Sequence, residues 1–515
     1  MVFRPVASIF GTLGAYVLYR VFNIVYAELT SPLRYLPGPK STHWFFGNLK
    51  ELASDGQSQL YITDTKALHH FLSNTQIYQK SELTRFSLGR IVGPGILVVE
   101  GDVHKQQRKI MNPAFGAPQI RELTGIFVEK SIQLRDIWAA QAAQGGGVAR
   151  VEVLSWLSKA TLDIIGLAGF NYHINALGAQ SEDAPNELAA AFEALFGMET
   201  EFSVMRAIRS YFRIFRRIPT GTDKIAQASQ ATMMRIGRQL LADSKRDIAE
   251  NGTFETGRAR DLLSLLVRAN TSKEIPASQR LSDEDVLAQV PTFLVAGHET
   301  TSTAVTSALF ALTQNTAAQT RLRAELLRVG TENPTMDELN ALPYLDCVVR
   351  ETLRVHAPVT ATGRIALQDD VVALATPFTD TNGAVHETIR IRKGDAIFIP
   401  ILTLNRDKAI WGPDALEFVP ERWESAPPIS NTIPGVWGHM LTFLGGPRGC
   451  IGYRFALVEM KALLFTLVRG LEFELAVPVA DVGRKATAIV QRPVVLSDPK
   501  AGHQMPLLVR PVVRL

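Results

Sequence analysis

Apolar residues recur at intervals of three and four along much of the chain, and this spacing predicts a mainly helical protein. The segments with the clearest spacing are Leu123 to Ala140, Val151 to Ala168, Ala226 to Ala249, Val286 to Leu312, Ala317 to Gly330 and Tyr344 to Val355. Ser282, with Asp285 three residues later, forms a capping-box pattern ahead of the long apolar segment. Pro291 should bend that helix or reset its start, because proline has no backbone N–H.

Strand patterns are sparse and lie mostly late in the chain. An early candidate is Leu60 to Thr63, and the later ones are Thr388 to Arg392, Ala396 to Pro400, Pro493 to Leu496 and Leu507 to Val509. The turn residues Lys393, Gly394 and Asp395 predict a hairpin between the strands on either side, and the last two segments are expected to pair with each other. The predicted fold is therefore mainly α with a smaller β region, in a single large domain.

The first thirty residues have the pattern of a membrane segment. The stretch from Pro5 to Tyr19 has no charge, and after Arg20 the residues from Val21 to Ala27 are again mostly apolar. About 20 apolar residues are needed to cross a bilayer. Prolines at 32, 37 and 39 predict a stiff hinge without helix. We expect a retained anchor over residues 1–30, a hinge over 31–40 and the folded domain over 41–515; a buried core helix is the alternative for the first segment.

Composition excludes several classes of protein. Hydrophobic residues make up 46 % of the chain, which is typical of a globular protein. With 54 Lys and Arg against 50 Asp and Glu, the net charge of +4 gives no reason to expect a nucleic-acid partner. Cys347 and Cys450 are the only two cysteines, so a disulfide framework is excluded and a reducing compartment is expected.

Cys450 lies in a loop that the sequence marks clearly. The stretch from Phe443 to Gly452 reads FLGGPRGCIG, and its glycines allow backbone N–H groups to approach the sulfur. A helical pattern follows at Arg454, so the cysteine precedes a helix N-terminus, and Arg448 adds a cation. Both features favour a thiolate. Iron–sulfur, covalent c-type haem and structural zinc sites each require more Cys or His ligands, which leaves one axial thiolate on a haem.

The loop resembles the haem-binding signature of the cytochrome P450 superfamily, F-x-x-G-x-R-x-C-x-G, at every fixed position. The resemblance implies the cytochrome P450 fold, with Cys450 as the ligand of the iron in haem b. It also implies that Phe443, Arg448 and Gly452 contact the haem. The alternative is a glycine-rich turn around a buried cysteine.

The long apolar helix contains Ala296-Gly-His-Glu-Thr-Thr301, and an acid beside a hydroxyl is costly in an apolar helix unless it has a function. Gly297 leaves space beside the helix. The segment resembles the oxygen-activation motif of the same family. That resemblance implies catalytic roles for Glu299 and Thr300 in proton delivery and places Ala296 against the haem. The alternative is a polar helix face with a Thr bonded back to its own helix. His298 has no assigned role.

Three further constellations resemble parts of the family pattern. Glu351 and Arg354, three residues apart on a helix, together with Arg422 resemble its structural triad, although such a pair alone is more often a solvated surface pair. His104 and Arg108 resemble a helix that binds the haem propionates, with His104 where a Trp is common. Arg364 is a further propionate candidate.

The resemblance, closest to fungal microsomal members, implies a monooxygenase that inserts one oxygen atom from O2 into a lipophilic substrate, by hydroxylation or epoxidation in secondary metabolism. It implies NADPH-cytochrome P450 reductase as a separate electron donor, cytochrome b5 as a further one, and the endoplasmic reticulum membrane as the location, with a cytosolic catalytic domain. A haem-thiolate isomerase or dehydratase that does not use O2, or an inactive haem-binding relative, are the alternatives. A basic patch of Lys105, Lys109, Arg448, Arg454 and Lys461 is the expected docking surface, scattered solvated charge being the alternative.

The resemblance places substrate selectivity in four largely apolar regions, which do not identify the substrate: Lys80 to Glu100, Ala190 to Ile218, Ala357 to Gly363 and Thr487 to Val495. One region departs from the family pattern. The segment between Gly47 and Leu60 is too short for the first helix and strands that the family places there. It is a true deletion or an incorrectly assembled gene model.

Overall fold

The computed structural model describes residues 59–178, 186–196, 213–251, 261–271, 280–487 and 489–512, together with residues 209 and 276 and much of 11–38. The short segment expected after Gly47 lies outside the described residues as far as residue 58, and so do residues 1–10 of the expected anchor. The chain forms two compact units. The smaller contains Met1–Ser81 and Gly363–Ile399, and the larger contains Glu82–Thr362 and Pro400–Leu515.

The fold is mainly α with a smaller β part, as the apolar spacing predicted. The helices are α1 Thr65–Ser73, α2 Glu82–Val92, α3 Gly101–Met111, α4 Ala117–Gln144, α5 Val153–Phe170, α6 Glu187–Phe196, α7 Gly221–Asn251, α8 Leu262–Thr271, α9 Asp283–Leu287, α10 Gln289–Gln314, α11 Thr316–Leu327, α12 Met336–Asn340, α13 Pro343–Val355, α14 Ile401–Asn405, α15 Lys408–Trp411 and α16 Tyr453–Gly470. The strands are β1 Gln59–Tyr61, β2 Tyr78–Gln79, β3 Ala149–Glu152, β4 Thr362–Ala366, β5 Asp370–Thr379, β6 Val385–Ile391, β7 Ala396–Ile399, β8 Leu471–Leu475, β9 Val482–Ala486, β10 Gln491–Val495 and β11 Pro506–Pro511.

In the smaller unit, a four-stranded sheet has the order β1-β7-β4-β2, and β5 and β6 form an antiparallel pair. The predicted hairpin across Lys393–Asp395 is therefore wrong: the strand before the turn pairs with β5, and β7 pairs in parallel with β1. The turn itself is present, with Asp395 N donating to Arg392 O at 3.0 Å. Strand spacing could not show that the chain changes sheet at this turn.

In the larger unit, β3-β11-β8 and β9-β10 form two small sheets, so the expected pairing of Pro493–Leu496 with Leu507–Val509 is also wrong. The core lies where α4, α5, α10 and α16 pack together. Helix α10 is buried almost all round, which is typical of a helix at the centre of a large fold.

The start of α10 follows the predicted signals. The Ser282–Asp285 capping box is confirmed and begins α9, and α10 begins at Gln289. Pro291 therefore lies in the first turn of α10, where a backbone N–H has no partner within the helix. The proline resets the helix start without interrupting the helix that follows.

The described residues between 11 and 30 are helical, and large apolar side chains among them are open to solvent: Leu18 is 70 % and Phe22 is 65 % exposed. Pro32–Tyr35 forms one turn of 3-10 helix, where a hinge without helix was expected, because Ser31 caps its first turn and proline tolerates the first helical position. Among the described residues, only Val153–Phe170 is long and apolar enough to cross a membrane, and 72 % of it is buried in the protein.

A buried ion pair connects α13 to the irregular segment that precedes the Cys450 loop. Glu351 and Arg354 have no exposed side-chain surface, and Arg354 donates to the Glu351 carboxylate at 2.8 and 2.6 Å. The remaining Arg354 hydrogen bonds go to the backbone carbonyls of Asn405, Ala415 and Glu417.

The Glu351 carboxylate accepts further hydrogen bonds from the same segment. The donors are the backbone N–H of Val419 at 3.0 Å, the guanidinium of Arg422 at 3.4 Å and the indole of Trp423 at 2.9 Å. Arg422 also bonds to Asp414 at 2.8 Å. The Glu351 carboxylate and the Arg354 guanidinium are therefore fully hydrogen-bonded, which is the condition under which buried ions are tolerated.

Glu351→Ala is expected to lower the free energy of unfolding by about 3–5 kcal/mol, because it leaves the Arg354 guanidinium buried without its counter-ion. Thermal or urea unfolding of the purified protein measures the loss. Glu424→Ala is the control, since Glu424 pairs with Arg321 at the surface and both side chains are about half exposed. Equal stability of the two variants would contradict a structural role for Glu351.

Candidate active site

The Cys450 loop is held by its own backbone. Cys450 N donates to Phe443 O at 2.8 Å, and residues 446–448 form a single 3-10 turn. Gly446 has a φ of +67°, a region that glycine adopts without strain. A Cβ on Gly445 would lie 1.6 Å from the Pro434 carbonyl oxygen, so no other residue fits there. Gly445 and Gly446 are therefore required by this fold of the loop.

Hydrogen bonds connect this loop to the buried ion pair. The Asn405 carboxamide accepts from Leu441 N at 3.0 Å and donates to the Thr442 hydroxyl at 2.8 Å. Thr442 in turn donates to Leu353 O on α13 at 2.7 Å. The residues just before Phe443 are thus tied to the same helix that carries Glu351 and Arg354.

The thiol of Cys450 keeps exposed surface, although surrounding protein desolvates it. Burial raises its pKa, and the Gly452 N–H and the positive charge of Arg108 oppose that rise. The protein alone therefore does not make a thiolate here, contrary to the expectation from the loop and helix dipole, since the sequence does not show the depth of burial. A metal ion bound to the sulfur would supply the stabilising charge, because a coordinating thiol loses its proton.

The cation near Cys450 is also not the one expected. Arg448 donates to Val99 O at 2.8 Å and is ion-paired with Glu100, both side chains being buried. Arg108 on α3 instead reaches the loop and donates to Gly449 O at 2.5 Å. Arg108, which is partly buried, lies one turn from the buried His104, so these two candidate residues share a face of α3.

The other candidate haem contacts are placed as follows. The Phe443 ring lies between those of Trp437 and Tyr453, with centroids 5.8 and 6.1 Å away. Gly452 approaches the Phe115 ring, which a Cβ would meet at 3.6 Å. Arg364 belongs to the smaller unit, where it is buried on β4 and donates to Gly363 O at 2.7 Å.

One face of α10 keeps some exposed surface. Between residues 289 and 309, only Ala296, Gly297 and Thr300 keep exposed surface, and at spacings of one and four they lie on one side of the helix. Thr300 donates to Ala296 O at 2.7 Å, which is the back-bonded geometry of the alternative reading, but its hydroxyl oxygen can still accept. A Cβ on Gly297 would lie 2.9 Å from Ile165 on α5, so the space beside this glycine is filled by helix packing.

Glu299 is fully buried and its carboxylate is held by Arg492 on β10, with Arg492 Nε 2.7 Å from Oε1 and a second bond from Nη2 to Oε2. Burial raises the pKa of Glu299, and the charge of Arg492 opposes that rise. Sequence reasoning missed Arg492. The available signal was a single charge in an otherwise apolar strand pattern.

His298 has a structural environment. It is buried, and its Nε2 lies 2.6 Å from the Ser158 hydroxyl on α5. Burial, reinforced by the charge of Arg492, lowers the pKa of His298 to about 3, so the ring is neutral. It therefore joins α5 to α10 without carrying a charge.

The expected basic patch is smaller than predicted. Lys105, Lys109 and Arg454 are exposed. Arg448 is buried against Glu100, and Lys461 is buried against Asp346 at 2.8 Å. Three of the five residues are therefore exposed at the surface.

The residues around Cys450 fit a haem. The Cys450 thiol would hold the haem iron, the face of α10 with Ala296 and Thr300 would contact the haem, and the basic side chains on α3 and in the loop would pair with its carboxylates. Among the described residues, no group of three or more His, Cys, Asp or Glu could hold a metal ion by itself.

Comparison with known proteins extends this local fit to the whole chain. The family model of cytochrome P450 matches residues 38–494. Cytochrome P450 monooxygenase 128 of Postia placenta is 52 % identical over 98 % of this chain and 97 % of the relative, and cytochrome P450 monooxygenase 205 of the same organism is 49 % identical over 96 % of each. Cytochrome P450 monooxygenase claP of Ampulloclitocybe clavipes is 35 % identical over 89 % of this chain and 85 % of the relative.

The alignment with the first of these relatives spans 536 positions, more than the 515 residues of this chain, so that relative contains residues without a counterpart here. Such a difference is expected if the segment between Gly47 and Leu60 is shortened. The match nevertheless includes the Cys450 loop, the α10 motif and the Glu351–Arg354 helix. The chain therefore belongs to the cytochrome P450 superfamily and is a cytochrome P450 monooxygenase.

Proposed function

We propose that this monooxygenase binds haem b through the Cys450 sulfur and inserts one oxygen atom from O2 into a C–H or C=C bond of a lipophilic substrate. The observation that carries the proposal is the placement of Cys450, in a glycine-determined loop directly before α16, with its thiol exposed inside the fold. A thiolate-ligated haem supplies the oxygen chemistry when bound, because the sulfur donates electron density that favours O–O cleavage.

The protein's own residues hold the haem. We assign Phe443, Gly452 and Ala296 to apolar contact with the haem, and His104, Arg108, Arg448 and Arg364 to its propionates. Arg448 uses Nη1 and Nη2 for Val99 and Glu100, and a guanidinium has five N–H groups, so donors remain for a carboxylate. Glu351, Arg354 and Arg422 act on folding of the segment before the loop.

Protons are delivered at the Thr300 hydroxyl, which lies on the open face of α10. Glu299 precedes it in the chain, and Arg492 occupies one lone pair on each Glu299 oxygen. A carboxylate has about four such acceptor positions, so acceptor capacity remains on Glu299 for a proton that passes toward Thr300. Arg492 holds Glu299 in place and favours its ionised form.

Electrons come from NADPH through a separate reductase, with cytochrome b5 as a further donor. The exposed residues Lys105, Lys109 and Arg454 form the docking surface that we propose for these acidic partners. Lys105 and Lys109 flank Arg108, which contacts the Cys450 loop, so the surface lies on the side of the sulfur ligand.

The helical residues between 11 and 30 serve as an anchor in the endoplasmic reticulum membrane, with the rest of the chain in the cytosol. The exposed apolar side chains in this segment, such as Leu18, Phe22 and Leu29, support this proposal, because water is an unfavourable environment for them. A membrane location also suits lipophilic substrates. We place the reaction in secondary metabolism on the resemblance to fungal microsomal enzymes.

Cys450→Ser is expected to abolish the strongly red-shifted Soret band of the reduced, CO-bound protein, because an alcohol cannot replace the thiolate ligand. Cys347→Ser is the matched control: Cys347 is buried on α13, where burial raises the pKa of its thiol to about 11. The control should keep the band. A red-shifted band in the Cys450 variant would refute the ligand assignment.

The same pair of variants tests the reaction. With reductase, NADPH and 18O2, the wild type and Cys347→Ser should place one labelled atom in the product, whereas Cys450→Ser should give none. Turnover without label in the wild type would identify an isomerase or dehydratase instead of a monooxygenase.

Thr300→Ala is expected to keep the Soret band but to lower product formed per NADPH by about tenfold, with hydrogen peroxide released instead, because proton delivery by a positioned group is lost. Thr306→Ala is the control, since Thr306 makes the same back-bond at 2.7 Å but is fully buried. Unchanged coupling in the Thr300 variant would remove this residue from proton delivery.

Arg492→Leu is expected to be less stable than the wild type, with a difference that grows as pH rises. Without Arg492, burial raises the pKa of Glu299 further, so Glu299 is protonated when folded and ionised when unfolded. The unfolded variant then binds fewer protons, and its relative stability falls with increasing pH. Urea unfolding at mildly acidic and mildly alkaline pH measures this. Arg510→Leu, which removes an exposed pair with Glu474, should show no such trend; a pH-independent loss in Arg492→Leu would contradict the ion pair.

A further inference from the structure

Three arginine side chains converge on the ring of Phe86 in α2, and the proposed function uses none of them. The guanidinium carbons of Arg90, Arg209 and Arg216 lie 5.7, 5.8 and 5.7 Å from the centroid of this ring. These four residues are called the Phe86 arginine cluster. Each guanidinium is attracted to the face of the ring at this distance, but the three positive charges repel one another.

One buried carboxylate serves two of these arginines. Asp223, in the first turn of α7, is 4 % exposed and is ion-paired with Arg90 and, at 2.8 Å, with Arg209. Arg216 pairs with Glu82 at 3.1 Å, but the Glu82 side chain is 48 % exposed, so water screens this pair. Burial, reinforced by the charge of Arg216, lowers the pKa of Arg209. These two acids therefore balance the positive charge of the cluster only in part.

Arg85 precedes Phe86 on α2 and brings a fourth guanidinium to this part of the helix. Its side chain is partly buried, and its Nε is buried without a hydrogen-bond partner among the described residues. A buried N–H of a charged group is costly to leave unpaired. An anion bound beside α2 would supply the acceptor and would offset the repulsion within the Phe86 arginine cluster.

Helix α2 leads from the cluster to the start of α10. Val92 is the last residue of α2, and its carbonyl oxygen lies 3.5 Å from the Thr292 hydroxyl in the first turn of α10. At 1.5 Å per helical residue, Phe86 lies about 9 Å along α2 from Val92. Thr300 lies about 12 Å along α10 from Thr292 by the same measure. An extended hydrocarbon chain can cover such distances, so a molecule held at the cluster can place an apolar carbon beside Thr300.

We propose that the Phe86 arginine cluster, together with Arg85, binds the carboxylate of an amphiphilic substrate whose apolar part extends toward Thr300. The inference rests on the proposed function and deepens it by naming the substrate class, a lipophilic acid that is ionised at neutral pH. Guanidinium groups suit this role, because they bind a carboxylate through two parallel N–H donors. The cluster determines specificity and takes no part in the oxygen chemistry.

Binding of two matched amphiphiles to the holoenzyme tests the preference for an acid. Dodecanoate and 1-dodecanol have the same hydrocarbon chain and differ only in the headgroup. Isothermal titration calorimetry below their micellar concentrations measures the two dissociation constants. The wild type should bind dodecanoate about tenfold more tightly, because hydrogen bonds to a charged group are the stronger ones, and the preference should shrink as salt is added. Equal affinity for the two molecules, or tighter binding of the alcohol, would overturn the proposal.

Two substitutions locate the preference on the chain. Arg85→Met should weaken the preference for dodecanoate, and the double variant Arg85→Met/Arg216→Met should abolish it, while the affinity for 1-dodecanol stays unchanged. Both proteins should fold, since an exposed pair such as Arg216 with Glu82 contributes little to stability. Arg238→Met is the control: Arg238 is exposed on α7, about 22 Å along that helix from Asp223, and its loss should leave the preference intact. A full preference for dodecanoate in the double variant would contradict the assignment.

An anionic lipid is the other source of a negative headgroup, and vesicle binding distinguishes it from a substrate. Co-sedimentation with phosphatidylserine and with phosphatidylcholine vesicles should give the same result for the wild type and the double variant. Loss of phosphatidylserine binding in the double variant, with equal wild-type affinity for dodecanoate and 1-dodecanol, would assign the cluster to the membrane and overturn the substrate proposal.

The CO-bound spectrum separates this inference from the proposed function. The wild type and the variants should all keep the red-shifted Soret band, since the substituted residues lie outside the Cys450 loop. Absence of the band from the wild type would count against haem-thiolate function. An intact band with equal affinity for acid and alcohol would count against the carboxylate site alone.

Discussion

The ion pair between Glu351 and Arg354 is the interaction on which the surroundings of Cys450 depend. Two opposite charges without access to water are stable only when every donor and acceptor is used, and here the donors and acceptors come from the segment that runs toward the cysteine. Asn405 continues the chain of bonds by holding Leu441 and Thr442 just ahead of Phe443. The loop shape, set locally by glycines, is thus placed by a buried charge on another helix.

Much of this site was accessible from the sequence because the features concerned are local. A glycine forced by a positive φ, a capping box and a cysteine before a helix are all determined by a few neighbouring residues. The long apolar helices were predicted within a few residues of their observed ends for the same reason. The strand pairings were wrong because pairing joins distant segments, and a period of two does not say which strand lies beside which.

The missed residues share a different property. Arg492 and Glu100 take their importance from partners far away in the chain, and nothing in their immediate sequence distinguishes them from ordinary polar residues. The wrong expectations about Arg448 and Lys461 have the same origin: a basic residue near the cysteine was taken to be exposed, whereas each is buried against an acid on another element. Burial depth also explains why the thiol of Cys450 is harder to ionise than its loop suggested.

The distance in sequence between Glu299 and Arg492 has a consequence for how the protein is made. The two residues are 193 positions apart, so at ribosomal rates of 5–20 residues per second the acid waits about 10 to 40 s for its counter-ion to be synthesised. Cys450 also follows α10 by a long stretch. The central helix therefore emerges from the ribosome with its polar residues uncompensated, and it cannot be enclosed in its final packing until the late strands arrive.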